Sequence, residues 1–248
     1  MPAAASPSRV EMIEYDAFGQ RRPARVELPA GEPSSMALIL SGVAMFGLDA
    51  ELPATRGLLE FGDLLAETLV ASGRGVVRPE PFRAERDTEG CIFAAASLDA
   101  TIAGMWPDVP GVRIGLSAAV PLIAVASESP AALFVLVSPP ILETYGNRPD
   151  RLELPLAEAL GIPPAIAAEL GARAPMHAGA SVASRALVVH GAADRIVPPA
   201  DAIGWRASLA AGGVDSARLE VAFADHDLEP CREPVLEAIE RHLDEVGA

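Results

Sequence analysis

The sequence predicts an α/β fold, a doubly wound and mostly parallel twisted sheet with helices on both faces, built as a single domain over residues 1–248. Three observations predict it. From residue 36 onward, short apolar runs alternate with segments of helix length, the rhythm of successive βαβ units. Runs such as Met36-Ala37-Leu38-Ile39-Leu40 and Ala186-Leu187-Val188-Val189 are continuously apolar, as strands covered on both faces are. The chain is also 50% hydrophobic but only 4% aromatic, so Ala, Val, Leu and Ile fill its core. A domain of this length buries about three quarters of its unfolded surface.

Taken in order, residues 10–15 and 24–28 read as two antiparallel edge strands joined by a turn at Gly19-Gln20. Strand 36–40 opens the parallel series and leads into Ser41-Gly42. A helix over 58–71 stops at Gly73, strand 75–78 follows, and a second helix covers about 92–105. Strand 112–114 runs into a helical stretch of small residues, 118–126, and strand 132–137 comes next. The last units are strand 186–190, helix 200–211 with Gly212-Gly213 as its stop, strand 218–222 and helix 234–246. Between strand 132–137 and strand 186–190 the rhythm breaks. Two short amphipathic pieces, 154–160 and 164–170, lie there on either side of Gly161-Ile162-Pro163, and no strand is required. This insertion, residues 140–184, is expected to be a small helical lid, because loops this long inside a compact domain are usually functional.

Charge and composition exclude several classes. The net charge of -15, with no lysine and every basic side chain an arginine, speaks against nucleic acid or an anionic membrane as partner, since phosphate binding needs clustered cations. The apolar stretch 117–142 is interrupted by Pro121, Glu128, Pro130 and Pro139-Pro140, so it reads as a core helix and a buried strand and not as a membrane span. The first residues carry no signal-peptide pattern, and a cytoplasmic location is expected. Cys91 and Cys231 stand alone, without metal-ligand or redox spacing, and read as free thiols. No metal and no cofactor is expected.

The chemistry concentrates at three strand ends. Ser117 sits in Gly115-Leu116-Ser117-Ala118-Ala119, between a short apolar strand and a helix. A nucleophile on so sharp a turn needs small residues two positions either side, which Gly115 and Ala119 supply. The segment His190-Gly191-Ala192-Ala193-Asp194-Arg195-Ile196-Val197-Pro198-Pro199 presents Asp194 after a buried strand, ahead of a proline-started helix. Asp225-His226-Asp227 follows strand 218–222 directly and places an imidazole in the next loop. Residues of the types required for nucleophilic acyl transfer thus stand after separate strands in the order Ser, Asp, His.

In these segments the chain resembles the α/β-hydrolase family, from about Arg9 to the C-terminal helix. The resemblance implies Ser117 as nucleophile, His226 as base and Asp194 as the acid that orients it. By position it implies an oxyanion hole from the backbone N–H of Ala118 and of Val43, with Ala44 as second choice. The family often has His-Gly after its third strand; this chain has Ser41-Gly42. His190 then reads as a loop-structuring residue, and His177 and His242 as lid and helix-surface residues. Asp225, Asp227 and Glu80 are rival acids to Asp194. Residues Met45, Tyr145 and Met176 are expected contacts to a small-molecule acyl substrate. Ester cleavage is the expected reaction; thioester cleavage, acyl transfer in a biosynthetic pathway, or ligand binding without turnover are alternatives. Oligomeric state is left open.

Overall fold

In a computed structural model, which describes residues 9–17, 19–46, 53–81, 88–126, 131–141, 164–173 and 183–248, the strands are β1 (Arg9–Ala17), β2 (Gln20–Leu28), β3 (Met36–Leu40), β4 (Gly75–Pro79), β5 (Gly111–Leu116), β6 (Leu133–Val137), β7 (Arg185–Gly191) and β8 (Asp215–Val221). They form one sheet in the order β1-β2-β4-β3-β5-β6-β7-β8. The β1-β2 hairpin and the β2-β4 seam are antiparallel, and every other pairing is parallel. The hairpin is closed by Gly19 at φ 70, whose N–H donates to Asp16 Oδ1 at 2.8 Å.

The helices are α1 (Gly42–Phe46), α2 (Pro53–Ala71), α3 (Thr88–Met105), α4 (Ala119–Ala126), α5 (Pro164–Arg173), α6 (Pro199–Ala211) and α7 (Arg232–Val246). Alternate residues of the inner strands face opposite layers. Ala37, Ile39, Val112, Ile114, Leu133, Val135, Leu187 and Val189 pack against α2 and α7 through Phe61, Leu65, Leu69, Ile239 and Leu243. Leu38, Leu40, Phe134, Leu136, Ala186 and Val188 pack on the opposite face with Leu98, Leu122, Ile123, Trp205 and Leu209. Both faces are therefore apolar, which is why period-two alternation is absent from these strands in the sequence. One charge pair crosses the second layer: Arg113 on β5 donates from Nε and Nη2 to Asp99 of α3 at 2.8 and 2.7 Å. Removing one partner of so buried a pair costs about 3–5 kcal/mol, because the other charge is left uncompensated.

Most expected elements are present with shifted ends. Helices α2 and α3 begin at Pro53 and Thr88 rather than near residues 58 and 92, since their first turns carry little apolar periodicity. Strand β8 starts at Asp215 and pairs with β7 from Arg185↔Asp215 to Gly191↔Val221. It is an edge strand with mostly exposed or half-buried side chains, so hydrophobicity marks its start poorly. The single turn of α1 was not anticipated; five residues are too few to show a helical period. In the insertion, α5 coincides with the expected piece at 164–170, and its Ile166 and Leu170 join the core shared with α3 and α4. The piece at 154–160 lies outside the described residues. No helix among the described residues is long and apolar enough to cross a membrane.

The topology itself selects a location for function. From β3 the chain moves to β4 on one side, then returns across β3 to β5 on the other. The strand order reverses there, and a crevice forms beyond the carboxyl ends of β3 and β5. Register Leu40↔Gly115 brings the loop after β3 beside the turn after β5.

Candidate active site

Ser117 occupies that turn with φ 47, in the left-handed region a non-glycine residue rarely adopts. The strain is held from several sides. Its N–H donates to Val137 O at 2.8 Å, continuing the β5-β6 ladder past the strand, and its C=O accepts from Val120 N–H at 2.9 Å. Gly115 allows the close crossing of β5 and α4: a methyl there would lie 2.8 Å from Val120 Cα. A buried, over-determined backbone outlier of this kind is the usual setting of a pre-organised reactive side chain.

His226 reaches the same point from the loop after β8. The Ser117 Oγ–His226 Nε2 distance is 3.0 Å, and His226 Nδ1–Asp194 Oδ2 is 2.8 Å. A carboxylate only accepts, so Nδ1 carries the imidazole hydrogen; Nε2 is then the acceptor and the serine hydroxyl donates to it. All three side chains are buried. Asp194 follows β7, and its Oδ1 accepts the N–H groups of Ile196 and Val197, both at 2.8 Å. Burial alone would raise its carboxyl. Hydrogen bonds from His190, His226 and the Val197 backbone outweigh burial and hold it well below the usual carboxylate range.

The acid loop and the histidine loop are zipped together by backbone. Ala192 N–H donates to Val221 O and Ala193 N–H to Ala224 O, both at 2.9 Å. Gly191 makes this approach possible, since a methyl there would overlap the Ala224 and Asp225 carbonyls. Asp225 does not orient the imidazole; its Oδ1 accepts from the N–H of Asp227 and of Glu229, both at 3.0 Å, and so shapes the loop. Asp227 is half-buried, and burial pushes its carboxyl up to about 6. Glu80 sits at the end of β4, where its N–H bonds Pro23 O. Ser138, fully buried with φ 48 at the end of β6, donates from Oγ to His226 O at 3.0 Å. It anchors the backbone that carries the imidazole. Sequence reading missed it; its only signal is a small polar residue between a five-residue apolar strand and Pro139-Pro140.

Val43 and Ala44 lie in the first turn of α1, at the end of β3. The Ala44 N–H is already directed at Ser41 Oγ, 3.3 Å away, and Met45 N–H at Ser41 O, 3.1 Å away. Val43 and Ala118 N–H make no hydrogen bond among the described residues. Met45 is core-packed, and its carbonyl accepts from Cys91 Sγ at 3.4 Å. Tyr145, Met176 and His177 lie outside the described residues. His242 is on the surface of α7, 3.6 Å from Glu245. A cavity of about 230 Å³ borders Ser41, Ala44 and Leu116, with Leu59 of α2 on one wall and Arg78 and Glu80 on another. No cluster of three potential metal ligands occurs among the described residues.

Neither a family model nor a curated protein matches the chain by sequence. Solved structures do match it in three dimensions. Est1E from Butyrivibrio proteoclasticus superposes with a TM-score of 0.69 at 15% identity, covering 95% of this chain and 98% of that one. An esterase from Pyrobaculum calidifontis gives 0.68 at 20% identity, over 97% and 87%. An α/β serine hydrolase without lid from Xanthomonas campestris gives 0.63 at 15%, over 96% and 95%. Sheet order, crossover pattern and near-complete superposition agree: the chain has the α/β-hydrolase fold.

Proposed function

We propose that this protein is a serine hydrolase that cleaves carboxylic esters through an acyl-enzyme on Ser117. One observation carries the reading: the unbroken hydrogen-bonded chain from Ser117 Oγ through His226 to Asp194, which begins at a strained turn and is backed by loops from three strands. The similar structures named esterases favour an ester over a thioester as the bond cleaved.

In this mechanism His226 Nε2 takes the Ser117 proton as Oγ attacks the ester carbonyl carbon. The carbonyl oxygen becomes an oxyanion, held by the N–H groups of Ala118 and Val43. Val43 is preferred to Ala44 because the Ala44 N–H is directed at Ser41 Oγ. The tetrahedral adduct collapses, the carbon–oxygen bond to the alcohol breaks, and His226 gives its proton to the departing oxygen. Asp194 stays ionised throughout and stabilises the imidazolium. Water, deprotonated by His226, then attacks the acyl carbon, and as this adduct collapses the bond to Ser117 Oγ breaks, His226 returns the proton to Oγ and the acid is released. The segment 140–184, with Tyr145 and Met176, would supply contacts to the acyl chain, and Met45 would support the loop after β3 from beneath.

A fluorophosphonate probe is expected to label Ser117, as located by peptide mass spectrometry. Ser117→Ala should abolish labelling and lower turnover of an activated acetyl ester on the order of 10⁶-fold, with an unchanged circular dichroism spectrum. Labelling that persists at another serine overturns the assignment. Faster cleavage of a thioester than of the oxygen ester with the same acyl chain would move the protein to the thioesterase reading.

A further inference from the structure

His190 is the last residue but one of β7, four residues before Asp194, and is 1% exposed. Its Nε2 lies 2.9 Å from Val197 O and 3.2 Å from Asp194 Oδ2. Both partners are acceptors only, so Nε2 carries the hydrogen and shares it between them. Nδ1 is buried without a hydrogen-bond partner among the described residues and is therefore the bare nitrogen. The tautomer of a second imidazole is thus set by the same carboxylate that sets the tautomer of His226.

The acceptor capacity of Asp194 is thereby filled. Oδ1 takes the N–H groups of Ile196 and Val197, while Oδ2 takes His226 Nδ1–H and His190 Nε2–H. An ionised carboxylate has about four acceptor sites. The two histidines compete for one oxygen.

We propose that His190 is a positioning residue for the base: by donating to Asp194 Oδ2 it fixes the plane of the carboxylate and limits how strongly Asp194 holds His226. This rests on the reading of His226 as the general base. His190 does not touch the reacting atoms; it acts through Asp194. Without its N–H the carboxylate's charge falls more heavily on its remaining partners, of which only His226 can gain a proton. The imidazolium form of His226 is then favoured, and the acidic limb of a pH–rate profile moves to higher pH. The charged groups around His226 are Asp194 on the β7 loop, Asp225 and Asp227 on its own loop, Arg232 at the start of α7, and the two carboxylates that pair with Arg232, Glu229 on the same loop as His226 and Glu60 of α2. Apart from Asp194 none of these is bonded to His190, and the Val197 carbonyl that also loses its donor carries no charge, so the shift reports the hydrogen bond to Asp194.

The test compares His190→Phe, which keeps a flat ring but removes the donor, with His190→Gln, whose amide places an N–H near the position of Nε2. For an activated acetyl ester, His190→Phe should lower plateau kcat/KM about 10- to 100-fold and shift the acidic limb upward, while His190→Gln returns the limb toward wild type. The downfield proton resonance of His226 Nδ1–H should move in His190→Phe and recover in His190→Gln. That resonance is independent of turnover, so it separates failure of this proposal from failure of the hydrolase reading. Equal losses in both variants, with limb and resonance unmoved, would show that His190 only packs the loop and would overturn the proposal. Should His190→Phe fail to fold, an unmoved limb and resonance in His190→Asn, whose amide sits near Nδ1 instead, would overturn it equally.

Discussion

The loops after β7 and β8 each bring an aspartate close to His226, and they treat it in opposite ways. Asp194 is the more buried, yet its carboxyl is held well below the ordinary range. Asp227 is half-exposed, yet burial raises its carboxyl to about 6; His226 and Arg232, which act in the opposite direction, only partly offset that rise, while Asp225 and Asp194 add to it. Depth therefore does not set the sign. The count of donors does: Asp194 receives two backbone N–H groups and two imidazoles, whereas Asp227 Oδ1 has no hydrogen-bond partner among the described residues. A carboxylate so far from water stays charged only when donors fill its acceptor sites.

The sharpest break of this comparison is removal of the charge at each site. Asp194→Asn is expected to lower kcat/KM for an activated ester about 10⁴-fold, because the amide favours the wrong imidazole tautomer. Asp227→Asn should leave kcat/KM within about fivefold, the scale of a screened charge acting on His226. Steady-state kinetics on the two purified variants decides the matter. Comparable losses would mean that both loops supply the orienting charge.

A second break acts on the backbone of the same loops. Gly191→Ala pushes a methyl into the Ala224 and Asp225 carbonyls, which cannot yield without separating the acid loop from the histidine loop. A displacement of about 1 Å between Asp194 and His226 is enough to reduce kcat about 100-fold. Gly57→Ala is the matched control on α2. There the overlap is chiefly with the Asp227 carboxyl, which can swing away, while Asp227 Cβ at 2.8 Å must also shift slightly. Activity should be nearly retained, and loss of activity in Gly57→Ala as large as in Gly191→Ala would show that Asp227 is as fixed as its counterpart.

The same contrast explains what was legible in the sequence. Ser117, Asp194 and His226 are visible because chemistry-bearing side chains stand in the loops just after strand segments, at the carboxyl edge of the sheet. The parallel core was visible for a related reason: strands covered on both faces read as nearly continuous apolar runs, with Arg113 and His190 the buried exceptions in β5 and β7. What escaped depends on single atoms meeting across long sequence separations. Ser138 holds the His226 carbonyl from 88 residues away, and no local pattern marks a lone serine as an anchor. His190 was read as structuring its loop, and the structure adds a bond to the Asp194 carboxylate, which spacing does not reveal. The rival acids needed geometry too. Asp225 is occupied in turning its own loop, a use of aspartate that sequence treats as interchangeable with orienting a histidine. Contacts expected at Tyr145 and Met176 lie outside the described residues.

The smallest expected effect concerns stability and tests the raised carboxyl of Asp227 directly. Between the ordinary value of 3.8 and about 6, the folded protein keeps a proton on Asp227 that the unfolded chain has released. Stability attributable to this group therefore falls as pH rises through that window and stays lower above it. Asparagine has nearly the same shape and never carries the charge. Asp227→Asn should be more stable than wild type above pH about 6, and the gain should fade toward pH about 4. At about 1.4 kcal/mol per pH unit the full shift would be near 3 kcal/mol, but a half-exposed carboxylate is screened by water, so about 1 kcal/mol is expected. Urea unfolding of both proteins at about pH 4 and about pH 8 measures the difference, in which titrating groups remote from Asp227 cancel. An equal gain at the two pH values would assign the effect to packing against Gly57, and the contrast between the two aspartates would then rest on Asp194 alone.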